Sequence, residues 1–242
     1  MKLVKQIPNL LTLTNLFLGC AGIVYVLSGM SYMASYFIFI AAVIDFGDGF
    51  VARWLNAASP IGEQLDSLAD CVTFGVLPGC IFFNFLENSY AADNDALNTG
   101  IIFMLPAFLI SVFSALRLAK FNIDERQQTS FIGLPTPACA IFTATLPLIA
   151  ISNQYGLASL LANKWVLYLL IMALSYLLVA RLPMFSLKFK SFDWKSNETR
   201  YIFLIASAVL IFTMSYTGLA AVILLYIIMS ILQTFSKNAI QS

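Results

Sequence analysis

Apolar segments long enough to cross a lipid bilayer follow one another along almost the entire chain. A helix of roughly 20 apolar residues spans the ~30 Å hydrocarbon core of a membrane. Short polar connections separate these segments, and none is long enough to form a separate polar domain. We therefore predict an all-α integral membrane protein, a helical bundle with about eight transmembrane helices near residues 9–28, 32–54, 67–86, 100–118, 136–153, 165–183, 201–216 and 219–235.

The composition supports an integral membrane protein and excludes several kinds of chemistry. Hydrophobic residues make up 60% of the chain and charged residues only 10%, whereas soluble domains carry about 25% charged residues. The formal net charge of +1 offers nothing for binding nucleic acid. The sequence contains no histidine, which excludes histidine acid–base chemistry and histidine metal ligands. The four cysteines lack the spacing of a metal site or a disulfide framework.

The distribution of basic residues predicts the orientation. If the N-terminus is cytoplasmic, all of the 13 lysines and arginines except Lys164 fall in cytoplasmic segments, as the positive-inside rule requires. We expect a multi-pass protein of the cell (inner) membrane that is in contact with membrane lipids. The polar segment 184–200 mixes lysine with aromatic residues, so it either lies on anionic lipid or is a solvated connector.

Four aspartates lie where the second and third predicted helices meet. Asp45 and Asp48 are three residues apart near the cytoplasmic end of the second helix, and Asp66 and Asp70 are four apart at the start of the third. Each pair therefore shares a helix face. A short loop makes the two helices an antiparallel pair, so all four carboxylates are expected to converge.

Carboxylates in a membrane are costly and need a compensating ligand. Burying one aspartate costs on the order of 2.5–3.5 kcal/mol on the insertion scale, and four together repel one another. Without histidine or cysteine, such a cluster favours hard cations such as Mg²⁺ or Mn²⁺. Two ions sharing Asp45 and Asp66 would suit a displacement at phosphorus. Asp70 is then the candidate general base for an alcohol.

Neighbouring residues fit an anionic nucleotide. Gly49 and Ala52 leave the helix face beside Asp45 open to a ligand, and Arg53 can bind phosphate oxygens with its forked guanidinium. In the loop, Gly62 gives the ligand a second point of close approach to the backbone. Taken singly, the small residues also suit helix packing and Arg53 a snorkelling anchor. On the first helix, Asn9 and Thr12 either reach the same ligand or have a structural role at the N-terminal end of that helix.

Together these residues match the pattern D-x2-D-G-x2-A-R-x8-G-x3-D-x3-D without departure, and the chain therefore resembles the CDP-alcohol phosphatidyltransferase family. The resemblance implies a six-helix membrane core, usually homodimeric, whose polar cavity opens to the cytoplasm. It further implies a dinuclear metal centre on the four aspartates, with Asp70 deprotonating the acceptor and CMP leaving. The Gly49 and Arg53 positions would contact the CDP-lipid, helped by Ser59. Residues 1–185 would form the core, and 186–242 an interfacial loop with two additional helices.

Further segments bear on the acceptor alcohol. Four segments resemble the members of the family that use CDP-diacylglycerol and L-serine. They are IPNLLTLTNLFLGC, QLDSLADCVTFGVLPG, ALRLAKFN and FIGLPTPA. A serine acceptor needs a cation for its carboxylate and a hydrogen-bond acceptor for its ammonium group. Arg117 and Asn122, at the end of the fourth helix, are the candidates, with Lys120 a weaker one. The two cations serve equally well as positive-inside anchors.

Two alternatives stay open at this point. The same chemistry with glycerol 3-phosphate or an inositol compound would need more basic residues around the cavity than the few candidates here. A divalent-cation transporter would also use intramembrane carboxylates. It would place them near mid-membrane, however, and the positive charge of Arg53 would hinder the passage of cations.

Overall fold

The structure is a computed structural model that describes residues 6–92, 100–124, 131–185 and 193–241. These residues are largely helical, which confirms the all-α prediction. Short 3₁₀ turns precede α5 and α7. In chain order the α-helices are α1 (Ile7–Leu27), α2 (Ser31–Trp54), α3 (Pro60–Asp70), α4 (Leu77–Ala92), α5 (Leu109–Ile123), α6 (Thr136–Ser152), α7 (Leu157–Leu161), α8 (Lys164–Val179) and α9 (Trp194–Gln241).

Several helical segments are long and apolar enough to cross a membrane, so the chain is a membrane protein. Helix α6 and the short helical turns after it are bent by 111° relative to each other, and they add one further span if they are counted together. Helix α8 is apolar but has only 16 residues. The predicted total of eight therefore stays a prediction. The five segments that qualify alone are Ile7–Leu27, Ser31–Trp54, Pro60–Ala92, Ile101–Ile123 and Asn197–Thr234.

Helix α9 is a hairpin of two helical arms. Its backbone leaves the helical region at Ser215, where φ is 48° and ψ is −120°. The ring centroids of Phe203 and Tyr226 are only 5.9 Å apart, although a continuous helix would separate these residues by about 35 Å. Gly218 packs directly on the Leu210 carbonyl, where a side chain would not fit. The reversal at Ser215 lies one residue before the end of the first of the two helices predicted there, 201–216 and 219–235.

The third membrane segment begins earlier than the prediction of 67–86. The Ser59 side chain caps α3 by accepting a hydrogen bond from the Gly62 amide at 3.1 Å, and Pro60 occupies the first turn. Both are favoured helix starts, so the polar residues that we assigned to a loop are helical. After α3 the chain passes through a π-helical turn, Cys71–Val76, into α4. Turns of this type are frequent at functional sites.

Small residues let α1 pack closely against this third segment. A side chain on Gly19 would collide with Thr73, and one on Gly22 with Leu77. The Thr73 hydroxyl also donates a hydrogen bond to the Asn15 carbonyl at 3.0 Å. Helix α1 is therefore fixed beside the end of α3, where the last two aspartates lie.

A two-residue antiparallel pairing joins the connections that we predicted as polar loops. Strand β1 (Phe131–Ile132) pairs with β2 (Pro183–Met184), with Phe131 opposite Met184. Hydrophobic periodicity gave no signal for strands this short. Residues 186–192 of the segment 184–200, which we discussed as interfacial, lie outside the described residues.

Candidate active site

The four aspartates come together between α2 and α3. Asp45, Asp48 and Asp66 each offer a carboxylate oxygen, and these oxygens all lie within 4.8 Å of one another. Asp70, one turn beyond Asp66, lies within hydrogen-bonding reach of Asp45. The helix pairing predicted from the sequence therefore produces the expected convergence.

Helix α1 supplies polar partners for two of these carboxylates. The Thr12 hydroxyl donates to Asp48 Oδ2 at 2.6 Å, and the Asn15 side-chain amide donates to Asp70 Oδ1 at 3.4 Å. Asp48 and Asp70 are both buried. Three helices thus build the site: α2 and α3 carry the carboxylates, and α1 holds two of them in place.

The cluster concentrates negative charge in a largely buried region. The charges acting on Asp66 are those of three further carboxylates, Asp45, Asp48 and Glu63. Gathering such groups away from water is unfavourable unless a cation offsets them. Carboxylate oxygens at these separations, with no nitrogen or sulfur donor, fit a hard divalent ion.

A cavity of about 530 Å³ opens beside Asp48 and Asp66. It lies where the start of α1, the end of α2 and the start of α3 meet. Neither Asp45 nor Asp70 is among the residues that line it. The wall includes every residue that we assigned to the CDP-lipid: Asn9, Thr12, Gly49, Ala52, Arg53, Ser59 and Gly62.

The two glycines of this wall differ in what surrounds them. A Cβ on Gly49 would meet only the Arg53 guanidinium, at 3.6 Å, so the helix face there is open to the cavity. A Cβ on Gly62 would lie 3.0 Å from Asn9 Oδ1 and 3.1 Å from Ser59 Oγ. Gly62 therefore has a packing role as well, and Ser59 is occupied as the cap of α3.

Arg117 lies near Asp70 and away from this cavity. The residue is only 7% exposed, and its Nη1 donates to the Thr136 hydroxyl at 3.5 Å. Its Nε is buried and has no hydrogen-bond partner among the described residues. Asp70 is among the groups that interact electrostatically with the guanidinium. Asp70 therefore has a buried cation in its surroundings, whereas Asp48 and Asp66 line the cavity.

The other two predicted acceptor residues occupy different surroundings. Asn122 donates a hydrogen bond from its side chain to the Ser67 hydroxyl at 2.8 Å, which ties α5 to α3 between the last two aspartates. Lys120 is exposed and lines a separate cavity of about 740 Å³ together with Arg181. The structure thus brings Asn122 to the carboxylate-bearing helix and Lys120 to another surface.

Our sequence analysis missed Asn15. Its side chain is completely buried, and its Oδ1 has no hydrogen-bond partner among the described residues. The available signal was its position three residues after Thr12, which places both polar side chains on one face of an otherwise apolar helix.

Comparison with known proteins agrees with this site. A family model described as CDP-alcohol phosphatidyltransferase matches residues 5–180. The chain therefore belongs to the CDP-alcohol phosphatidyltransferase family and is a membrane-embedded transferase.

Curated relatives narrow the comparison within that family. A Helicobacter pylori protein is 33% identical over 231 residues, which cover 93% of this chain and 90% of the relative. A Bacillus subtilis protein is 36% identical over 166 residues, covering 66% of this chain and 88% of the relative. A Methanocaldococcus jannaschii protein is 38% identical over 125 residues, covering 52% and 54%. All three bear the name CDP-diacylglycerol–serine O-phosphatidyltransferase.

Proposed function

We propose that this enzyme transfers the phosphatidyl group of CDP-diacylglycerol to the hydroxyl of L-serine, producing phosphatidylserine and CMP. The observation that carries the proposal is the convergence of the carboxylates of Asp45, Asp48 and Asp66 within 4.8 Å of one another, beside a cavity whose wall holds every residue predicted for the donor. The buried Arg117, which interacts electrostatically with Asp70, supports an anionic acceptor. The names of the curated relatives support the same donor and acceptor.

The donor would bind with its cytidine diphosphate group in the 530 Å³ cavity. Arg53 would bind phosphate oxygens, and the open face at Gly49 and Ala52 would let the ligand approach the α2 backbone. Asn9 and Thr12 on α1, together with Ser59 and Gly62, would complete the polar rim. The acyl chains would extend into the surrounding lipid.

The four aspartates would hold two divalent cations, Mg²⁺ or Mn²⁺. When bound, these ions supply charge compensation for the phosphate oxygens. Asp70 would accept the proton of the serine hydroxyl. The serine oxygen would then form a bond to the lipid-bearing phosphorus while the bond from that phosphorus to CMP breaks.

Arg117 supports an amino-acid acceptor. A buried guanidinium with an unpaired Nε is energetically costly unless an anion binds it. The serine carboxylate matches the fork of the guanidinium, and the hydroxyl of the same molecule would reach Asp70. Asn122 would accept a hydrogen bond from the serine ammonium group through its amide oxygen. Lys120 stays the weaker candidate.

The proposal extends to the arrangement in the cell. We place the enzyme in the inner membrane as a homodimer, with its N-terminus and active site facing the cytoplasm. Residues 1–185 would form the catalytic core, and 186–242 the interfacial loop and two additional helices. Membership of a transferase family leaves the divalent-cation transporter without support.

An acceptor panel tests the proposal. Purified protein is supplied with CDP-diacylglycerol, Mg²⁺ or Mn²⁺, and one alcohol at a time: L-serine, glycerol 3-phosphate, inositol or inositol phosphate. We expect a phosphatidyl product and CMP with L-serine alone. Efficient product formation with one of the other alcohols instead would overturn the serine assignment while leaving the transferase class intact.

A further inference from the structure

A chain of two hydrogen bonds determines how the side-chain amide of Asn122 is turned. Its Nδ2 donates to Ser67 Oγ at 2.8 Å. The Ser67 hydroxyl in turn donates to the backbone carbonyl of Glu63, one turn earlier in α3, at 3.2 Å. A hydroxyl has a single proton, so Ser67 has none left for Asn122 and accepts a hydrogen bond from it. The amide therefore presents its nitrogen to α3 and leaves its oxygen free.

The free oxygen of Asn122 lies beside the carboxylate-bearing helix. The bonds of an amide hold its nitrogen and oxygen within about 2.5 Å of each other, so Oδ1 stays close to the Ser67 hydroxyl. Ser67 directly follows Asp66 and precedes Asp70 by three positions. Among the described residues, Oδ1 has no hydrogen-bond donor, and Asn122 is only partly buried. The structure thus offers a hydrogen-bond acceptor that a ligand can reach near the aspartates.

This contact is one of two that fix helix α5 along the third membrane segment. The other is the hydrogen bond from the Ser111 hydroxyl to the Gly75 carbonyl, at 2.9 Å. The two elements run antiparallel, because the later residue of α5, Asn122, contacts the earlier residue of the segment, Ser67. Arg117 falls between the two contacts on α5, just as the last aspartate falls between them on the segment. Both acceptor candidates therefore belong to the stretch of α5 that follows the last aspartates.

We propose that Ser67 is a positioning residue for Asn122 and thereby helps to select the acceptor alcohol. The Ser67 hydroxyl would hold the amide nitrogen, so that the amide oxygen is presented to the ammonium group of the acceptor. This rests on the proposed function, in which Asn122 binds that group. An alcohol without an ammonium group would gain nothing from this oxygen.

The alternative is that the hydrogen bond only ties α5 to α3, and Ser67→Ala separates the two roles. This variant removes the oxygen that holds the amide nitrogen. We expect the KM for L-serine to rise about 3- to 10-fold, the effect of losing one hydrogen-bonding group. We expect kcat and the KM for CDP-diacylglycerol to change less than about twofold. Ser67→Thr keeps the hydroxyl and should retain a serine KM close to that of the wild type.

Ser111→Ala is the matched control. It removes a serine hydroxyl that also connects α5 to the third membrane segment, at a place further from the aspartates along both elements. The variant therefore reports the cost of loosening α5, and its serine KM should stay within about twofold of the wild-type value. An equal rise in Ser111→Ala, or an unchanged serine KM in Ser67→Ala, would overturn the proposal.

Two competitors identify the group of the acceptor that is involved. 2-Aminoethanol lacks the carboxylate of serine and keeps its ammonium group, whereas 3-hydroxypropanoate lacks the ammonium group and keeps the carboxylate. In Ser67→Ala the inhibition constant of 2-aminoethanol should rise together with the serine KM, and that of 3-hydroxypropanoate should equal the wild-type value. Equal weakening of both competitors would contradict a role through the ammonium group. Failure of the proposed function itself is distinguishable, because wild-type protein would then form no phosphatidylserine.

Discussion

The side-chain amide of Asn15 donates a hydrogen bond to Asp70 Oδ1 at 3.4 Å, with both residues buried. This contact connects α1 to the residue that we propose as the general base. Because the Asn15 backbone carbonyl also accepts from Thr73 at 3.0 Å, the position of α1 beside Asp70 is fixed by two separate hydrogen bonds. The first helix is therefore part of the arrangement that we propose to be catalytic.

Asn15→Ala should lower turnover by removing a hydrogen bond that orients Asp70. Loss of one such bond is worth about 1 kcal/mol, so we expect kcat to fall about 5- to 10-fold. The matched control is Thr14→Ala on the same helix, since the Thr14 hydroxyl bonds only to the Leu10 carbonyl on the exposed side. Equal kcat values for the two variants would remove Asn15 from this role.

Asp70→Asn should abolish the transfer while leaving the donor site intact. The amide preserves the shape of the side chain but does not accept the proton of the acceptor hydroxyl. Steady-state turnover and CDP-diacylglycerol binding are measured on the same preparation. We expect turnover to fall by about 10³-fold or more, the range of general-base contributions, with most donor binding retained. Wild-type turnover in this variant would show that another group is the base.

Gly49→Leu should block the donor without unfolding the helix. A side chain at Gly49 would extend into the cavity, where its first carbon meets only Arg53 at 3.6 Å. We expect the KM for CDP-diacylglycerol to rise at least about tenfold, because a filled cavity excludes the ligand, while the KM for serine stays constant.

Gly47→Leu is the control for that experiment. Gly47 lies two residues earlier on α2, a Cβ there meets nothing within 4 Å, and the residue is not part of the cavity wall. Leucine is the better helix former at both positions, so stability effects should be alike. A similar rise in donor KM in both variants would place the donor elsewhere.

Chelation tests the divalent cations. Treatment with EDTA should abolish turnover, and adding back Mg²⁺ or Mn²⁺ should restore it, because the aspartate cluster needs positive charge to bind phosphate oxygens. Asp48→Asn should raise the metal concentration required for half-maximal turnover. Full activity after EDTA, with metal removal verified by elemental analysis, would contradict the metal assignment.

Much of the site was predictable because its signals are local in sequence. The spacing of Asp45, Asp48, Asp66 and Asp70 fixes their helix faces once a short loop joins the two helices. The predicted donor residues of α2 and α3 line one cavity for the same reason, and Asn9 and Thr12 join them from α1. The roles of these residues stay predictions, whereas their proximity is a property of the structure.

The rest depends on contacts between distant parts of the chain. Nothing near Tyr226 in sequence points to Phe185 or Phe203, and only the reversal at Ser215 brings the second arm of α9 back to them. The sequence pairs Asn15 only with Thr12 on the same helix face, whereas its partner Asp70 lies 55 residues later. The early start of α3 was missed because its first turns are polar and lack a membrane-type hydrophobic pattern.

The most direct measurement of the central claim is the release of CMP from CDP-diacylglycerol by purified enzyme, with and without L-serine. Direct displacement predicts equal amounts of CMP and phosphatidylserine when serine is present, and no CMP release without it. It also predicts that labelled CMP is not incorporated into CDP-diacylglycerol in the absence of serine. Incorporation of the label under those conditions would show a covalent phosphatidyl-enzyme and contradict attack by the serine hydroxyl on the bound donor.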